Sequence, residues 1–269
     1  MAAPKILEIL QLFTVEAPRW RVDRIADQMM VSSSTAYRCV AELVRAGFLQ
    51  PVSGGAYVLG PAFSEFDLRM RLSDPLLRAA RPHLLRLHAL LAPHATTVLA
   101  RYYRDCVMFA DIERGRDGPS SHGRGQQIPL FSPAAMARAV LFALPDRVLR
   151  GLYQRHAVEI GESGLGNDQR EFRASIKAMR ERGFTFAKSV VVPGRIGIGA
   201  PVISEGMVRG SMGVSLPEPI PQSEIERIGA IVMKEAGKVG AELSKDAADV
   251  PRLLGRVSAA QPQASRLLQ

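Results

Sequence analysis

The sequence predicts an α+β protein with two domains joined by a helix, and three observations support this. Residues 22–60 follow a helix, turn, helix and hairpin pattern. Residues 61–74 show helical periodicity. From Asp74-Pro75 to residue 246, helical and strand patterns then alternate, which is typical of an α+β domain. The length of 269 residues is sufficient for two domains.

The first predicted domain covers residues 1–60 and begins with an apolar helical stripe over 5–14. Asp23 is positioned to cap a second, short helix. The turn that follows needs a residue with a left-handed backbone, and Met30 or Val31 must supply it in place of the usual glycine. Ser32 or Ser33 can then cap a third helix, because a serine hydroxyl accepts a hydrogen bond from an early helical N–H.

The third helix is amphipathic, and Gly47 is expected to end it. The apolar face contains Ala36, Val40, Leu43 and Val44, and the exposed residues include Ser34, Thr35, Tyr37, Arg38 and Arg45. Two short strands then flank the glycine-rich turn Ser53-Gly54-Gly55. This order of elements predicts a winged helix-turn-helix.

Small hydroxylated and cationic side chains at the start of this helix suit a DNA major groove flanked by phosphates. An ordinary pair of packed helices is the alternative, but the wing and the arginines favour binding to double-stranded DNA. The predicted DNA-binding residues are Ser32, Ser33, Ser34, Thr35, Tyr37, Arg38, Arg45, Ser53, Gly54 and Tyr57.

The net charge of +9 is unevenly distributed. Residues 1–60 contain six basic and five acidic residues, whereas residues 75–246 contain 24 basic and 17 acidic ones. A nearly neutral DNA-binding domain must rely on the placement of a few cations and on two copies acting together. The excess in the second region favours either an anionic small molecule or no more than a solvated basic surface.

Several functional classes are not expected. No run of eighteen uncharged apolar residues occurs, and Glu8 interrupts the apolar N-terminus, so we expect a cytoplasmic protein without a membrane partner. The two cysteines, Cys39 and Cys106, are expected to be reduced thiols. The five histidines lack metal-binding spacing, and no GxSxG or phosphate-loop motif occurs, so no enzyme activity, metal or cofactor is expected.

The remaining chain is divided as follows. Residues 61–74 form a linker helix whose stripe of Phe63, Phe66 and Met70 suits either a dimer contact or packing onto its own domain. Residues 75–246 form the second domain, with helices predicted over 76–91, 134–143, 146–156, 168–183 and 224–243 and a polar, mobile loop over 113–127. Residues 247–269 are expected to be a disordered tail.

Over residues 5–245 the chain resembles bacterial transcriptional regulators of the IclR family. The resemblance rests on IADQMMVSSSTAYRCVAELVRAGFL and YVLG in the first domain. In the second domain it rests on AMARAVLFALP, EFRASIKAMRERGFTFA and GIGAPVISEGMVRGSMGVSLP. It implies a GAF-like effector domain, assembly as a homodimer or dimer of dimers, and control of catabolic genes as an activator or repressor from an inverted-repeat operator.

The resemblance also implies an effector pocket on one face of the sheet in the second domain. Carried over by motif, its residues are Phe131, Ala135, Met136, Gly197, Gly213 and Ser215, although each of them also fits ordinary packing. Many relatives carry a histidine where this chain has Phe131-Ser132-Pro133, and an acidic residue where it has AKSVVVPGR. The loss of these polar groups and the gain of Phe131, Met136 and valines predict an aromatic or otherwise bulky carboxylate effector rather than a small keto acid. A regulator without a ligand, whose second domain serves oligomerisation only, is the alternative.

Overall fold

A computed structural model describes residues 3–91, 93–116, 123–190 and 192–258. The chain divides into two compact units, residues 1–74 and 75–269. Among the described residues, no helix is both long and apolar enough to cross a membrane.

The first unit is a winged helix-turn-helix, as predicted. Its strands form an antiparallel sheet in the order β1-β3-β2. Strand β1 was not predicted, because it is two residues long and pairs with a strand more than thirty positions away. The elements are α1 (Ala3–Gln11), β1 (Trp20–Arg21), α2 (Val22–Gln28), α3 (Ser33–Arg45), β2 (Leu49–Val52), β3 (Ala56–Leu59) and α4 (Ala62–Ser73).

The residues at the turn and at the helix ends of this unit are those predicted from the sequence, with one correction. Met30 adopts the left-handed conformation at φ 50°, Ser32 caps α3, and Gly47 follows that helix at φ 75°. Asp23, however, does not cap α2. Arg21 occupies the N-cap position, and the Asp23 carboxylate accepts a hydrogen bond from the Arg24 N–H within the first turn.

Helix α4 packs partly onto its own unit. The Phe48 ring stacks on Phe66 at 5.6 Å and meets Phe63 edge-on at 5.4 Å. Leu68, Met70 and other apolar side chains of α4 are nevertheless exposed.

The second unit is a six-stranded antiparallel sheet with helices on both faces. The strand order is β6-β5-β4-β9-β8-β7. The elements are α5 (Pro75–Leu91), β4 (Thr96–Tyr103), β5 (Cys106–Glu113), β6 (Gln127–Pro129), α6 (Ala135–Ala143), α7 (Asp146–Glu162), α8 (Gln169–Arg182), β7 (Thr185–Lys188), β8 (Arg195–Ser204), β9 (Met207–Pro217) and α9 (Gln222–Ser258).

Alternation along β8 explains the two layers. Ile196 and Ile198 belong to the core cluster beneath α5 and α9. Gly197 and Gly199, between and after them, face the start of α6 on the opposite side. Because successive side chains point to opposite faces of a sheet, small residues on one face let a helix approach while isoleucines fill the other.

Two helices and one loop need correction against the bounds predicted for them. Helix α7 continues to Glu162 beyond a kink at His156, where φ is −131°. Helix α9 continues to Ser258 and so includes residues 247–258 of the predicted disordered tail; Ala247 and Ala248 have high helix propensity. The predicted mobile loop over 113–127 has its first residue in β5 and its last in β6, and residues 117–122 lie outside the described chain.

Candidate functional site

One face of α3 presents an exposed arc of polar and small side chains. At 100° per residue, Ser34, Arg38, Ala41 and Arg45 lie almost in line, with Tyr37 beside them. Tyr37 is 62% exposed, although large aromatic side chains are usually buried. Ala41 was not singled out from the sequence, and its methyl group is of the kind that contacts thymine in a major groove. The opposite face, with Ala36, Cys39, Val40 and Leu43, forms the core.

Two of the four hydroxyl groups at the start of α3 are used within the helix. The Ser32 hydroxyl accepts a hydrogen bond from the Thr35 N–H at 3.3 Å, and its oxygen lies 2.9 Å from the Thr35 hydroxyl. Ser33 and Ser34 are exposed, and neither side chain bonds to another described residue. These two are therefore better placed than Ser32 to meet an external phosphate.

The two arginines on this face differ in their surroundings. Arg38 is exposed and forms no ion pair with any described residue. Arg45 lies in the last turn, about 18 Å along the helix axis from Ser33 at 1.5 Å per residue. Its guanidinium forms a salt bridge with Glu42. Arg38 is therefore the cation on this arc whose charge is not already neutralised.

The wing is held by a contact that sequence reasoning missed. Its tip places Gly54 at φ 79° and Gly55 at φ 69°, where glycine avoids a steric cost. The Arg21 guanidinium donates a hydrogen bond to the Gly54 carbonyl at 2.9 Å. Nothing local could reveal this contact, because 33 positions separate the two residues.

The two remaining predicted wing residues lie in different surroundings. Ser53 is exposed at the tip. Tyr57 is half-buried and packs against the core of the first unit, so its ring helps to hold the hairpin.

In the second unit, a small apolar cavity lies between the sheet and the start of α6, and we call it the sheet pocket. Its volume is about 40 Å³. Four predicted residues line it: Ala135, Met136, Gly197 and Ser215. The other lining residues are Val98, Phe109, Ile128, Ala134, Ala187, Lys188, Ser189, Val190 and Val214.

The other two predicted effector residues do not line the sheet pocket. Phe131 is buried, with its ring 5.3 Å from that of His156. Gly213 lies beneath Met136, because a Cβ atom there would come within 2.6 Å of the Met136 sulfur. The same sulfur would be 3.1 Å from a Cβ at Gly199. Two glycines thus make room for the methionine, and the methionine occupies space between α6 and the sheet.

Hydrogen bonds to the sheet fix the start of α6. The Thr185 hydroxyl donates to the Ala135 carbonyl at 2.7 Å, and the Ser211 hydroxyl donates to the Met136 carbonyl at 2.9 Å. Ala134, at the N-cap, supplies no side-chain cap. The first N–H groups of α6 therefore have no capping side chain at the sheet pocket, and a helix N-terminus of this kind attracts anions.

A buried arginine supports the hydroxyl group in the sheet pocket. Arg195 is 6% exposed, and its Nε donates to the Ser215 hydroxyl at 3.0 Å. The same guanidinium donates to the His94 and Ser215 carbonyls at 2.8 and 2.6 Å. The positive charge of Arg195 thus lies directly behind Ser215, which lines the pocket. The sequence offered no signal for this, since Arg195 stands in a glycine-rich stretch that resembles a loop.

No cluster of three or more His, Cys, Asp or Glu side chains able to hold a metal ion occurs within the described part of the chain. The two cysteines are both free thiols.

The exposed helix face with its adjoining wing is the arrangement of a DNA-binding winged helix-turn-helix, and the second unit is a sheet domain with a small pocket. Residues 2–53 match the family profile described as the IclR helix-turn-helix domain. The first unit therefore carries the helix-turn-helix domain of that family, which confirms this part of the resemblance stated from the sequence.

Solved structures extend the likeness of fold to about nine-tenths of the chain. The IclR regulator of Alicyclobacillus acidocaldarius has a TM-score of 0.70 at 21% identity, covering 90% of this chain and 98% of that one. The Thermotoga maritima IclR has a TM-score of 0.67 at 18% identity, covering 90% and 98%. An IclR homologue from Microbacterium hydrocarbonoxydans, solved with 4-hydroxybenzoate, has a TM-score of 0.70 at 21% identity, covering 91% and 100%.

No curated protein matches the chain in sequence. At these identities the structural matches establish the fold, which is that of the IclR transcriptional regulators in both units.

Proposed function

We propose that this regulator binds an inverted-repeat operator as a dimer or a dimer of dimers and controls catabolic genes. The observation that carries the proposal is the exposed arc of α3, with Arg38 unpaired and the adjoining wing braced by Arg21. Because the first sixty residues are nearly neutral, a single copy offers too few cations for tight non-specific binding. Two copies in successive major grooves supply the missing contacts.

In this arrangement Arg38 contacts a base edge, and Ser33 and Ser34 contact phosphates at the N-terminal end of α3. The wing tip at Gly54 reaches the adjacent minor groove. Arg45, already paired with Glu42, contributes a weaker phosphate contact.

The test is the affinity of the purified protein for a fragment of its own promoter region. Arg38→Ala is expected to weaken specific binding by about 1–3 kcal/mol, the range for a lost base contact. Arg45→Ala is expected to have a smaller effect, and Lys234→Ala, an exposed cation on α9, serves as the matched charge control. Wild-type affinity for the Arg38 variant would refute the assignment.

We also propose that the sheet pocket binds an aromatic carboxylate. Valines, Phe109 and Ile128 give it an apolar lining, while the start of α6 and the Ser215 hydroxyl backed by Arg195 suit a carboxylate. The Microbacterium homologue with the same fold was solved with 4-hydroxybenzoate, a ligand of this chemical class.

The volume of the sheet pocket favours a second candidate, a regulator without a ligand. About 40 Å³ is far below the roughly 150 Å³ of an apolar cavity that accepts benzene. Ligand binding therefore requires the pocket to widen, and Met136 is the residue suited to move, because an unbranched methionine side chain adapts easily.

Thermal unfolding with 4-hydroxybenzoate and with pyruvate distinguishes these candidates. A ligand that binds only the folded state raises the unfolding temperature, and the rise grows with the logarithm of ligand concentration above Kd. We expect the aromatic acid to raise the unfolding temperature. Gly197→Ala should weaken the binding of this acid at least tenfold. A Cβ there would sit 3.4 Å from the Ala135 Cβ and narrow the pocket while the fold remains intact. Stabilisation by pyruvate only would refute the aromatic assignment, and DNA affinity insensitive to both acids would favour the ligand-independent candidate.

A further inference from the structure

A second concave site lies between α7 and α8, and we call it the α7–α8 groove. Its volume is about 330 Å³, several times that of the sheet pocket. The two sites have no lining residue in common. The groove is lined by Asp146, Leu149, Arg150, Tyr153, Gln169, Phe172, Arg173, Ile176, Lys177 and Arg180.

The floor of the groove is apolar and well supported. Leu149, Phe172 and Ile176 are each at most 5% exposed and belong to the core of the second unit. The half-buried ring of Tyr153 stacks on Phe172 at 5.6 Å with an interplanar angle of 28°. A flat apolar group laid on this floor would therefore meet firmly packed side chains.

The rim is strongly cationic, with three arginines, one lysine and a single carboxylate. Arg180 is fixed in place, because it donates to the Phe142 and Leu144 carbonyls and to the Asp146 carboxylate, each at 2.7 Å. This hydrogen bond from Arg180 holds the pKa of Asp146 below its ordinary value, helped by the charges of Arg150 and Arg173. The one carboxylate of the groove is thus already neutralised by Arg180.

The remaining cations are left without comparable partners. Arg150 and Arg173 are exposed, and neither guanidinium has the carboxylate of a described residue within 4.0 Å. Lys177 has only a long, exposed contact with Glu181 at 3.8 Å. Two to three uncompensated positive charges therefore converge on an apolar floor, and part of the positive excess of residues 75–246 is located here.

The size of the groove selects the class of occupant. Protein partners bury about 20–30 residues a side. Ten lining residues on two helices are too few for that, whereas 330 Å³ falls within the range of small-molecule sites. We propose that the α7–α8 groove is a second small-molecule site, which takes an aromatic dianion with its ring on the Tyr153–Phe172 floor and its negative charges against Arg150 and Arg173.

The proposal is tested by calorimetric titration of the full-length protein with terephthalate, benzoate and succinate. Terephthalate combines two charges with a ring, benzoate lacks one charge, and succinate lacks the ring. We expect terephthalate to bind at least tenfold more tightly than either of the others. Equal binding of succinate would overturn the role of the apolar floor, and equal binding of benzoate would overturn the requirement for two charges.

Matched variants locate the binding. The double variant Arg150→Gln and Arg173→Gln is expected to weaken terephthalate binding at least tenfold. The control, Arg155→Gln and Arg170→Gln, removes the same charge from exposed positions on the same two helices outside the groove.

Equal weakening in both double variants would show a non-specific charge effect and refute the site, as would no detectable binding at millimolar terephthalate. Terephthalate binding that Gly197→Ala abolishes and the groove variant leaves unchanged would place the ligand in the sheet pocket instead.

Discussion

The two units of this protein differ in whether they bury polar side chains. Among the described residues of the first unit, every buried side chain is apolar. The buried polar and charged side chains of the described chain all lie in the second unit: His83, Thr96, Thr97, Thr185, Arg195, Ser204, Ser211, Ser215 and Glu235.

This difference follows from what each unit has to present. The first unit needs a simple apolar core that holds α3 and the wing while its serines and arginines face outward. The second unit packs helices against both faces of a sheet, so helix ends and strand backbones meet inside it. Buried hydroxyl and charged groups there satisfy backbone atoms that water cannot reach. Removing a polar side chain should therefore lower stability in the second unit and DNA affinity in the first.

The largest expected effect is that of Glu235→Ala. Glu235 and His83 are about 5% exposed, and the carboxylate lies 2.6 Å from both His83 Nδ1 and Lys238 Nζ. Glu235→Ala leaves the buried His83 Nδ1 and the Lys238 ammonium without these hydrogen-bond partners, and losing two hydrogen bonds to a charged group costs about 3 kcal/mol. Circular dichroism follows both units during urea unfolding, whereas fluorescence of the single tryptophan, Trp20, reports the first unit alone. If Glu235→Ala instead shifts the unfolding transition seen by Trp20 fluorescence, the expected difference between the two units is wrong.

Acid should reproduce part of this loss in the unaltered protein. Burial alone would raise the pKa of Glu235, but hydrogen bonds from Lys238 and His83 outweigh it and hold the pKa below its ordinary value of 4.5. A carboxylate whose pKa is lowered by folding stabilises the folded state at pH values above its ordinary pKa. That stability is lost as the pH falls toward the folded-state pKa. Urea midpoints of the second unit should decline below about pH 4.5. Glu235→Gln should flatten this decline, and an equal decline in that variant would exclude Glu235 as its source.

Thr185→Val removes a donor inside the second unit without changing its shape. The Ala135 carbonyl would lose its bond from the Thr185 hydroxyl at 2.7 Å. Losing a buried hydrogen bond of this kind costs up to about 1.5 kcal/mol. Thr185→Ser keeps the hydroxyl and should recover most of that loss. If both variants unfold at the same urea concentration, the hydroxyl does not contribute.

The smallest expected effect lies in the first unit. Ser32→Ala removes the N-cap of α3 and should lower the stability reported by Trp20 fluorescence by about 1 kcal/mol. Ser33→Ala, at an exposed position without a side-chain bond, should change it by less than about 0.5 kcal/mol. We expect the reverse order for operator affinity. Equal effects of the two substitutions on stability would contradict the capping role.

Most of the correct predictions concern features that depend on neighbouring residues along the chain. Ser32 caps α3 and Met30 takes the left-handed turn, because both roles depend on contacts within a few residues. Helix α6 spans Ala135–Ala143, within one residue of the bounds predicted from its periodicity, 134–143. The wrong assignment, Asp23 as a cap, concerns a choice between adjacent residues that periodicity does not resolve.

The candidate sites were less accessible to prediction. The family motifs led to four of the residues that line the sheet pocket, but not to its volume or to Arg195 behind it. The α7–α8 groove carries no motif at all. Its cations are spaced like those of any solvated helix, and only the antiparallel packing of two helices brings them together over Phe172.

By itself the sequence therefore determined the class of fold, the order of elements and the residues that start and end the helices. These features depend on backbone hydrogen bonds and side-chain periodicity over a few positions. The tertiary structure alone decided that Arg21 braces the wing, that Met136 nearly fills the sheet pocket, and that Arg150 and Arg173 converge on one groove. Cavity volume and the convergence of charges depend on distances between residues far apart in the chain, which no local pattern records.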